Sequence, residues 1–347
     1  MNPDWNAFLT QQGAVLSEQG VNFPAAGSDD VVDPALTTIV VPLVHLGLIH
    51  SNGADSAPFL HNLFSNDVKK LAADAAQWNS FNSPKGRMLA NFLLWGTAEA
   101  HWLMSSQDIV PALHKKLSMY VLRSKVKLSD ASTGHVLIGV AGANATRILA
   151  AAGLPAPDQA MRVLPADGGH CIRIGDEASP AFILALPADA APARFAAMRD
   201  AGAQPAATAA WQLAMIRAGL PLITAATQDE FVAQMLNYEL IGGVSFNKGC
   251  YPGQEIVART QYLGKLKKRM YRVGFDAPAA PMAGTDIYTP GFGEQSAGKL
   301  VNVAPGPAGG FEALAVMQMS CAEAGEAHIG APDGPPVRFE PLPYALP

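Results

Sequence analysis

The chain is poor in cysteine, with three among 347 residues, at positions 171, 250 and 321. Thiols so far apart, with no Cys or His at close spacing, make neither a disulfide framework nor a zinc finger. Charge is also scarce: 15% of residues are charged, against roughly 25% in an average soluble protein. The formal net charge of −5 lacks the basic excess typical of nucleic-acid-binding domains, so strong direct binding of tRNA is not expected. Apolar residues reach 49%, yet no run attains the ~18–20 consecutive apolar positions of a membrane span. The longest candidate, TTIVVPLVHLGLIH, contains Pro42 and reads as strand. The N-terminal MNPDWNAFLTQQGAVL has no basic segment leading into an apolar run, so no secretory signal is expected. GVAGAN lacks both the Lys-Ser/Thr of a P-loop and the third glycine of a dinucleotide fingerprint. These absences leave a reduced, cytoplasmic protein without a metal site or a membrane anchor.

What is present divides into three textures. Residues 1–35 are polar and rich in turn formers, as in NFPAAGSDDVVDP, and read as a weakly ordered lead-in. Residues 36–260 alternate strands and helices, with adjacent strand pairs recurring. MLANFLLWG and AEAHWLMSS form a hairpin about Gly96, while SAPFLHNLF and SQDIVPALHKKLSMYVL carry helical stripes. That mixture favours an α+β fold over a doubly wound parallel sheet. WQLAMIRAG reads as an amphipathic strand carrying Trp211. Residues 261–347 hold short strand-like runs between Gly and Pro turns, the pattern of a small C-terminal β-barrel. GKLKKRMYR crowds Lys265, Lys267, Lys268, Arg269 and Arg272 together. It is either a solvated edge or a landing place for phosphates or carboxylates.

Chemistry concentrates in GGVSFNKGCYPGQEIVART. Pro252 suits a first helical position, which would put Cys250 just ahead of a helix start, where unpaired N–H groups favour negative charge. Lys248 adds an ammonium two residues upstream. Both features favour a thiolate. Glu255 and Arg259 have the spacing of an intrahelical ion pair. The alternative is a small buried hydrophobe, the commoner state of a single cysteine. No histidine neighbours Cys250 in sequence; His45 and His61 are the candidates for a partner brought close by folding.

KGCYPGQEIVAR strongly resembles a signature of the YgfZ family of folate-binding proteins: Lys-Gly-Cys, an aromatic residue, then Gly-Gln-Glu and a closing Arg. This family is related to the glycine-cleavage T-protein, an aminomethyltransferase. NGADSAPFLHNLFSNDV, SPKGRMLANFLLW, YVLRSKVKLSD, WQLAMIRAGLPLI and FEPLPYAL extend the resemblance over about residues 37 to 346. It implies two ferredoxin-like α+β modules and a closing β-barrel around a central cavity that holds tetrahydrofolate. It further implies an accessory role in making or maintaining iron–sulfur clusters, notably in tRNA-thiolating enzymes. The implied partners are those enzymes or cluster-assembly proteins.

Carried over by position, the resemblance gives Cys250 as the functional thiol, with Lys248 and Arg259 beside it. Gly253, Gln254 and Glu255 belong to the same motif and count with the folate-binding residues. Trp211 matches a folate-contacting aromatic, where an indole face would stack on a pterin; its alternative is a core tryptophan. Arg217 stands where T-proteins place a glutamate, and guanidinium has only donors, so its role would be to reach folate carboxylates. Leu46 replaces a second aromatic. Lys85, Gly86 and Arg87 match the family pattern, as a basic turn at a cavity mouth or as a solvated hairpin turn. Ala90 and Asn91 occupy the positions of the T-protein's paired aspartates, and neither exchanges a proton near neutral pH, so aminomethyltransferase activity is not expected. The competing reading is a folate-dependent enzyme that moves a one-carbon unit or oxidises an amine.

Overall fold

The computed structural model describes residues 2–18, 20–24, 31–97, 99–264 and 266–347. It is a mixed α+β structure with several sheets, and it divides into two compact units. The first comprises Met1–Phe59, Lys69–Gln77 and Leu93–Ala214; the second comprises Leu60–Val68, Trp78–Phe92 and Met215–Pro347.

The first unit is built on a six-stranded sheet in the order Val163–Ala166, Gly169–Arg173, Ala181–Pro187, His135–Ala141, Ile39–Pro42 and Gln204–Pro205. Its central strands are apolar on both faces, as strands covered on two sides must be. Gly139, mid-strand, is where an indole lies flat on the backbone: a Cβ there would sit 2.5 Å from the ring of Trp211. Trp211 belongs to a helix, Thr208–Arg217, where the sequence reads as strand. The stretch TAAWQLAMIR is dense in strong helix formers, and that propensity prevails over a short alternating pattern. The expected hairpin is present as Met88–Gly96 and Ala100–Ser106.

The reading of residues 1–35 as a weakly ordered lead-in is corrected for its first part. Pro3–Gln11 is a helix, started by the Asn2 side chain accepting from Trp5 N at 3.0 Å. Trp5 and Leu9 are fully buried, and Trp5 meets Phe195 edge-on at 5.9 Å. Two apolar anchors in a polar stretch are enough to dock a helix. The turn formers at 25–30 lie outside the described residues.

The second unit ends in a six-stranded antiparallel sheet that curves as a half-barrel. Its order is His328–Ile329, Asp286–Tyr288, Gly298–Pro305, Phe311–Gln318, Lys268–Phe275 and Arg338–Glu340. A bridge from His328 to Pro336 draws the two edges together. Val273, Phe275, Leu300, Ala315 and Met317 fill its inside. The basic run falls on this sheet and is largely committed to it. Arg269 is buried and pairs with Glu239 at 2.8 Å, while Arg272 reaches Glu312 at 3.4 Å. Lys267 is exposed, and Lys265 lies outside the described residues.

Candidate functional site

Cys250 is exposed, whereas Cys171 and Cys321 are buried. Burial pushes the Cys171 thiol up to about 12, and that of Cys321 upward as well. Of the three sulfurs, only the one in the sequence motif is open to a reaction partner.

The loop carrying Cys250 is fastened at many points, all within the second unit. Ser245 N donates to Ser65 O at 2.9 Å, Ser65 Oγ donates to Gly243 O at 2.7 Å, and Asn66 Nδ2 donates to Gly242 O at 2.7 Å. Lys248 is buried and donates to the carbonyls of His61 and Phe64, and its ammonium stands 4.6 Å from the Tyr251 ring centre. The last carbonyls of the Ser56–Leu63 helix lack helical partners, and a cation there satisfies them. Lys248 thus acts as an anchor of the loop.

The motif helix runs Gln254–Tyr262 and is preceded by Gly253 in the left-handed region, φ 77°. Pro252 is therefore not the first helical residue, contrary to the sequence expectation, and Cys250 lies four positions before the helix begins. The macrodipole acts mainly within the first turn, so its influence on the sulfur is not built into this geometry. Gly253 is required by close approach. A Cβ there would stand 2.5 Å from Ser83 O and 2.6 Å from Gly86 Cα. Gly86 has φ 73° and faces Ile256 and the Gly253 carbonyl in return. Two glycines thus let the Ser83–Arg87 turn sit backbone to backbone on the start of the motif helix.

Gln254 Oε1 accepts from Tyr251 N at 3.2 Å, tying the helix start to the loop. Glu255 and Arg259 are both exposed and, among the described residues, form no ion pair with each other, so that expectation is corrected. Lys85 is exposed in the turn, and Arg87 donates to the carbonyls of Asp229 and Glu230 at 3.1 and 3.2 Å.

Several of the residues expected to hold a pteridine are engaged within their own units. Trp211 is 2% exposed and lies against Gly139 and Leu43, so it is a core residue with no open face. Arg217 is engaged by Glu312, with Nη2 2.7 Å from Oε1 and Nε 3.1 Å from the same oxygen. Leu46 helps line a cavity of about 20 Å³ with Leu43, Gln107 and Ser132, room for about one water. Asn91 is 1% exposed and uses both ends of its amide: Nδ2 donates to Pro221 O at 2.7 Å and Oδ1 accepts from Ile223 N at 2.8 Å.

One group that the sequence offered only as one of two candidates stands at the site. His61 Nδ1 lies 3.1 Å from Asp67 Oδ1, with both side chains largely buried. Its Nε2 is 3.9 Å from where a side chain on Gly249 would begin, the residue next to Cys250. His45 belongs to the first unit, between the strands Ile39–Pro42 and Leu46–Asn52, and desolvation holds it down to about 4. The spacing of His61 and Asp67 was visible in HNLFSND, but nothing in sequence connected it to position 250.

The GCVT N-terminal domain family matches residues 37–237. Among curated relatives, the tRNA-modifying protein YgfZ of Yersinia pseudotuberculosis is 30% identical over 270 residues, covering 76% of this chain and 79% of the relative. That of Pectobacterium carotovorum is 28% identical over 264 residues, covering 76% and 78%. Among solved structures, the glycine cleavage system aminomethyltransferase T from Bartonella henselae superposes with a TM-score of 0.79 at 16% identity, over 99% of this chain and 98% of that one. At that identity the likeness concerns the fold. The chain belongs to the YgfZ family, within the group of proteins that carry the GCVT N-terminal domain.

Proposed function

We propose that this chain is a folate-related accessory protein of tRNA modification that supports the assembly or repair of iron–sulfur clusters in cluster-dependent enzymes, tRNA-thiolating enzymes included, with Cys250 as its working thiol. The observation that carries this reading is the contrast between the three cysteines. Cys250 alone is exposed, on a loop anchored by the buried Lys248, inside the stretch that resembles the family signature. Relatives named as tRNA-modifying support the link to tRNA, and the matched domain family supports a relation to folate. Since Trp211, Arg217 and Gln254 are engaged within the protein, no step is assigned to a bound folate. Lys85 and Arg259, both exposed, remain the motif-side cations open to an anionic partner.

The competing reading, a folate-dependent one-carbon or amine-oxidising enzyme, needs a group that exchanges protons where T-proteins place acids. Here Ala90 is an apolar core residue and Asn91 is a bridge between backbone groups. Turnover of methylenetetrahydrofolate by the purified protein would favour that reading over ours. The accessory role is tested in cells from which the gene has been removed. Methylthiolated tRNA nucleosides, measured by mass spectrometry, should fall and return with the wild-type gene. They should not return with Cys250→Ala. Full recovery with the alanine variant would remove the thiol from the function.

Among the described residues no helix is long and apolar enough to cross a membrane, and no group of three His, Cys, Asp or Glu side chains is placed to hold a metal ion.

A further inference from the structure

We infer that the turn at residues 119–123, with the cations on either side of it, is a docking surface for a partner protein whose own face is acidic and holds an apolar socket. The turn lies in HKKLSMYVLRSKVK and belongs to the first unit, whereas Cys250 belongs to the second. Leu122 is 88% exposed, Met119 63% and Tyr120 44%. A large apolar side chain exposed singly is ordinary, but three within four positions form the kind of surface that marks an interaction site. Leu122 also has φ 44°, in the left-handed region that a branched, non-glycine side chain enters only under strain. Burial does not offset that strain here, so its use lies in what the leucine meets outside the chain.

The turn is fastened on both sides. Before it, the helix Val110–Ser118 buries Leu113 and Leu117, and Tyr120 N donates to Leu117 O at 3.0 Å. After it, Ser124 N donates to Val121 O at 2.8 Å and Lys125 N to Asp55 Oδ2 at 2.7 Å. The strand Lys127–Asp130 then pairs with Leu46–Asn52. The apolar knob is therefore presented in one conformation, which lowers the ordering cost of binding.

The charge around it has one sign. Lys115, Lys116, Arg123, Lys125 and Lys127 fall in this stretch, with no acid between Asp108 and Asp130. Lys115, Arg123, Lys125 and Lys127 are exposed and make no ion pair among the described residues. In a chain with 29 acidic and 24 basic side chains this is a local reversal, suited to steering an acidic surface into contact. Single-stranded nucleic acid is held by cations together with rings on which bases stack, and the two most exposed groups here, Leu122 and Met119, have no ring face. A fluid bilayer requires no fixed geometry of the side chain that enters it, so a strained, fastened leucine has no advantage there. A protein socket does select such a shape. Leu122 fills it, Met119 adapts to its wall, and Tyr120 and Arg123 are of the residue types that dominate interface energetics.

The test places the photo-crosslinking residue benzoylphenylalanine at position 122 of the full chain in growing cells. A control places it at position 36, where Leu36 is 86% exposed in the same unit. The expected result is a protein adduct at 122 that is absent at 36. That protein, purified, should bind the wild-type chain with an affinity that falls as salt rises. Its Kd should rise about tenfold or more with Leu122→Asn, and again with Arg123→Glu/Lys125→Glu. Asparagine tolerates the left-handed conformation, so Leu122→Asn should melt no lower than wild type, which separates lost binding from lost fold. No adduct at 122, the same adduct at both positions, or an adduct with RNA or lipid overturns the inference. A captured protein whose binding is indifferent to these substitutions or to salt overturns it as well. Rescue by Cys250→Ala reads the thiol alone, so either reading can fail without the other.

Discussion

Asn91 illustrates how much one amide contributes when both its ends are used. Its Nδ2 and Oδ1 pair with Pro221 O and Ile223 N in a setting almost closed to water. An aspartate would be nearly isosteric, but as an anion it would turn an acceptor toward the Pro221 carbonyl. Leaving such buried groups mismatched costs about 1–3 kcal/mol. Asn91→Asp should therefore lower the urea midpoint at pH 7 and recover part of the loss at low pH, where the protonated acid can donate again. A midpoint equal to wild type at pH 7 would contradict this. The replacement of an acidic pair by Ala90 and Asn91 was legible in the sequence once the resemblance was in hand. The structural use of the amide was not, because Pro221 and Ile223 are more than a hundred residues away. Lys248 teaches the same lesson. The motif revealed its position, but only the fold shows that its ammonium closes the end of the Ser56–Leu63 helix.

At the scale of elements, the start of the motif helix depends on two facing glycines. Gly253→Ala adds a Cβ 2.5 Å from Ser83 O in a left-handed backbone conformation. Strain in that region costs of order 1–3 kcal/mol before any clash. Gly242 shares the conformation, φ 73°, with nothing within 4 Å, so Gly242→Ala should cost only roughly 1 kcal/mol. Thermal melts of the two variants decide the point, and equal losses would show that the close packing of turn on helix is immaterial. Sequence reading located the helix through QEIVART but placed its start at Pro252. A proline's fitness for a first turn is a local preference, and the tertiary approach of Gly86 overrides it. Strands bounded by glycine and proline were easier to read, since alternating or continuous apolar runs survive in any context. Trp211 was the harder case, because a helix face and a strand face look alike over so few residues.

At the scale of the whole molecule, five histidines of the first unit have proton affinities lowered by desolvation: His45 and His101 to about 4, and His50, His135 and His170 in the same direction. His101 is nearly closed to water, with its Nδ1 2.9 Å from Ser56 Oγ. His50, Trp102, His135 and His170 pack together, the His50 and Trp102 rings 4.2 Å apart. A histidine whose folded pKa lies below its unfolded value binds protons more weakly when folded. Its neutral form therefore stabilises the fold above about 6.5, and that contribution is lost as pH falls from about 6.5 toward about 4. Each such group contributes a slope of at most about 1.4 kcal/mol per pH unit, less for the half-exposed ones. Urea midpoints at pH 7 and pH 5 should differ accordingly, with the lower stability at pH 5. Unchanged midpoints would show that these rings are solvated in solution.

The central claim is that the working part of the protein is one exposed thiol, held in place by a loop whose remaining residues are structural. Its most direct test is rescue of tRNA methylthiolation in a gene-deleted strain by two variants expressed at wild-type level. The double variant Cys171→Ala/Cys321→Ala keeps only the Cys250 sulfur and should restore the modification. Cys250→Ser keeps the shape of the loop but not its nucleophile and should restore none. Restoration by the serine variant would contradict the account.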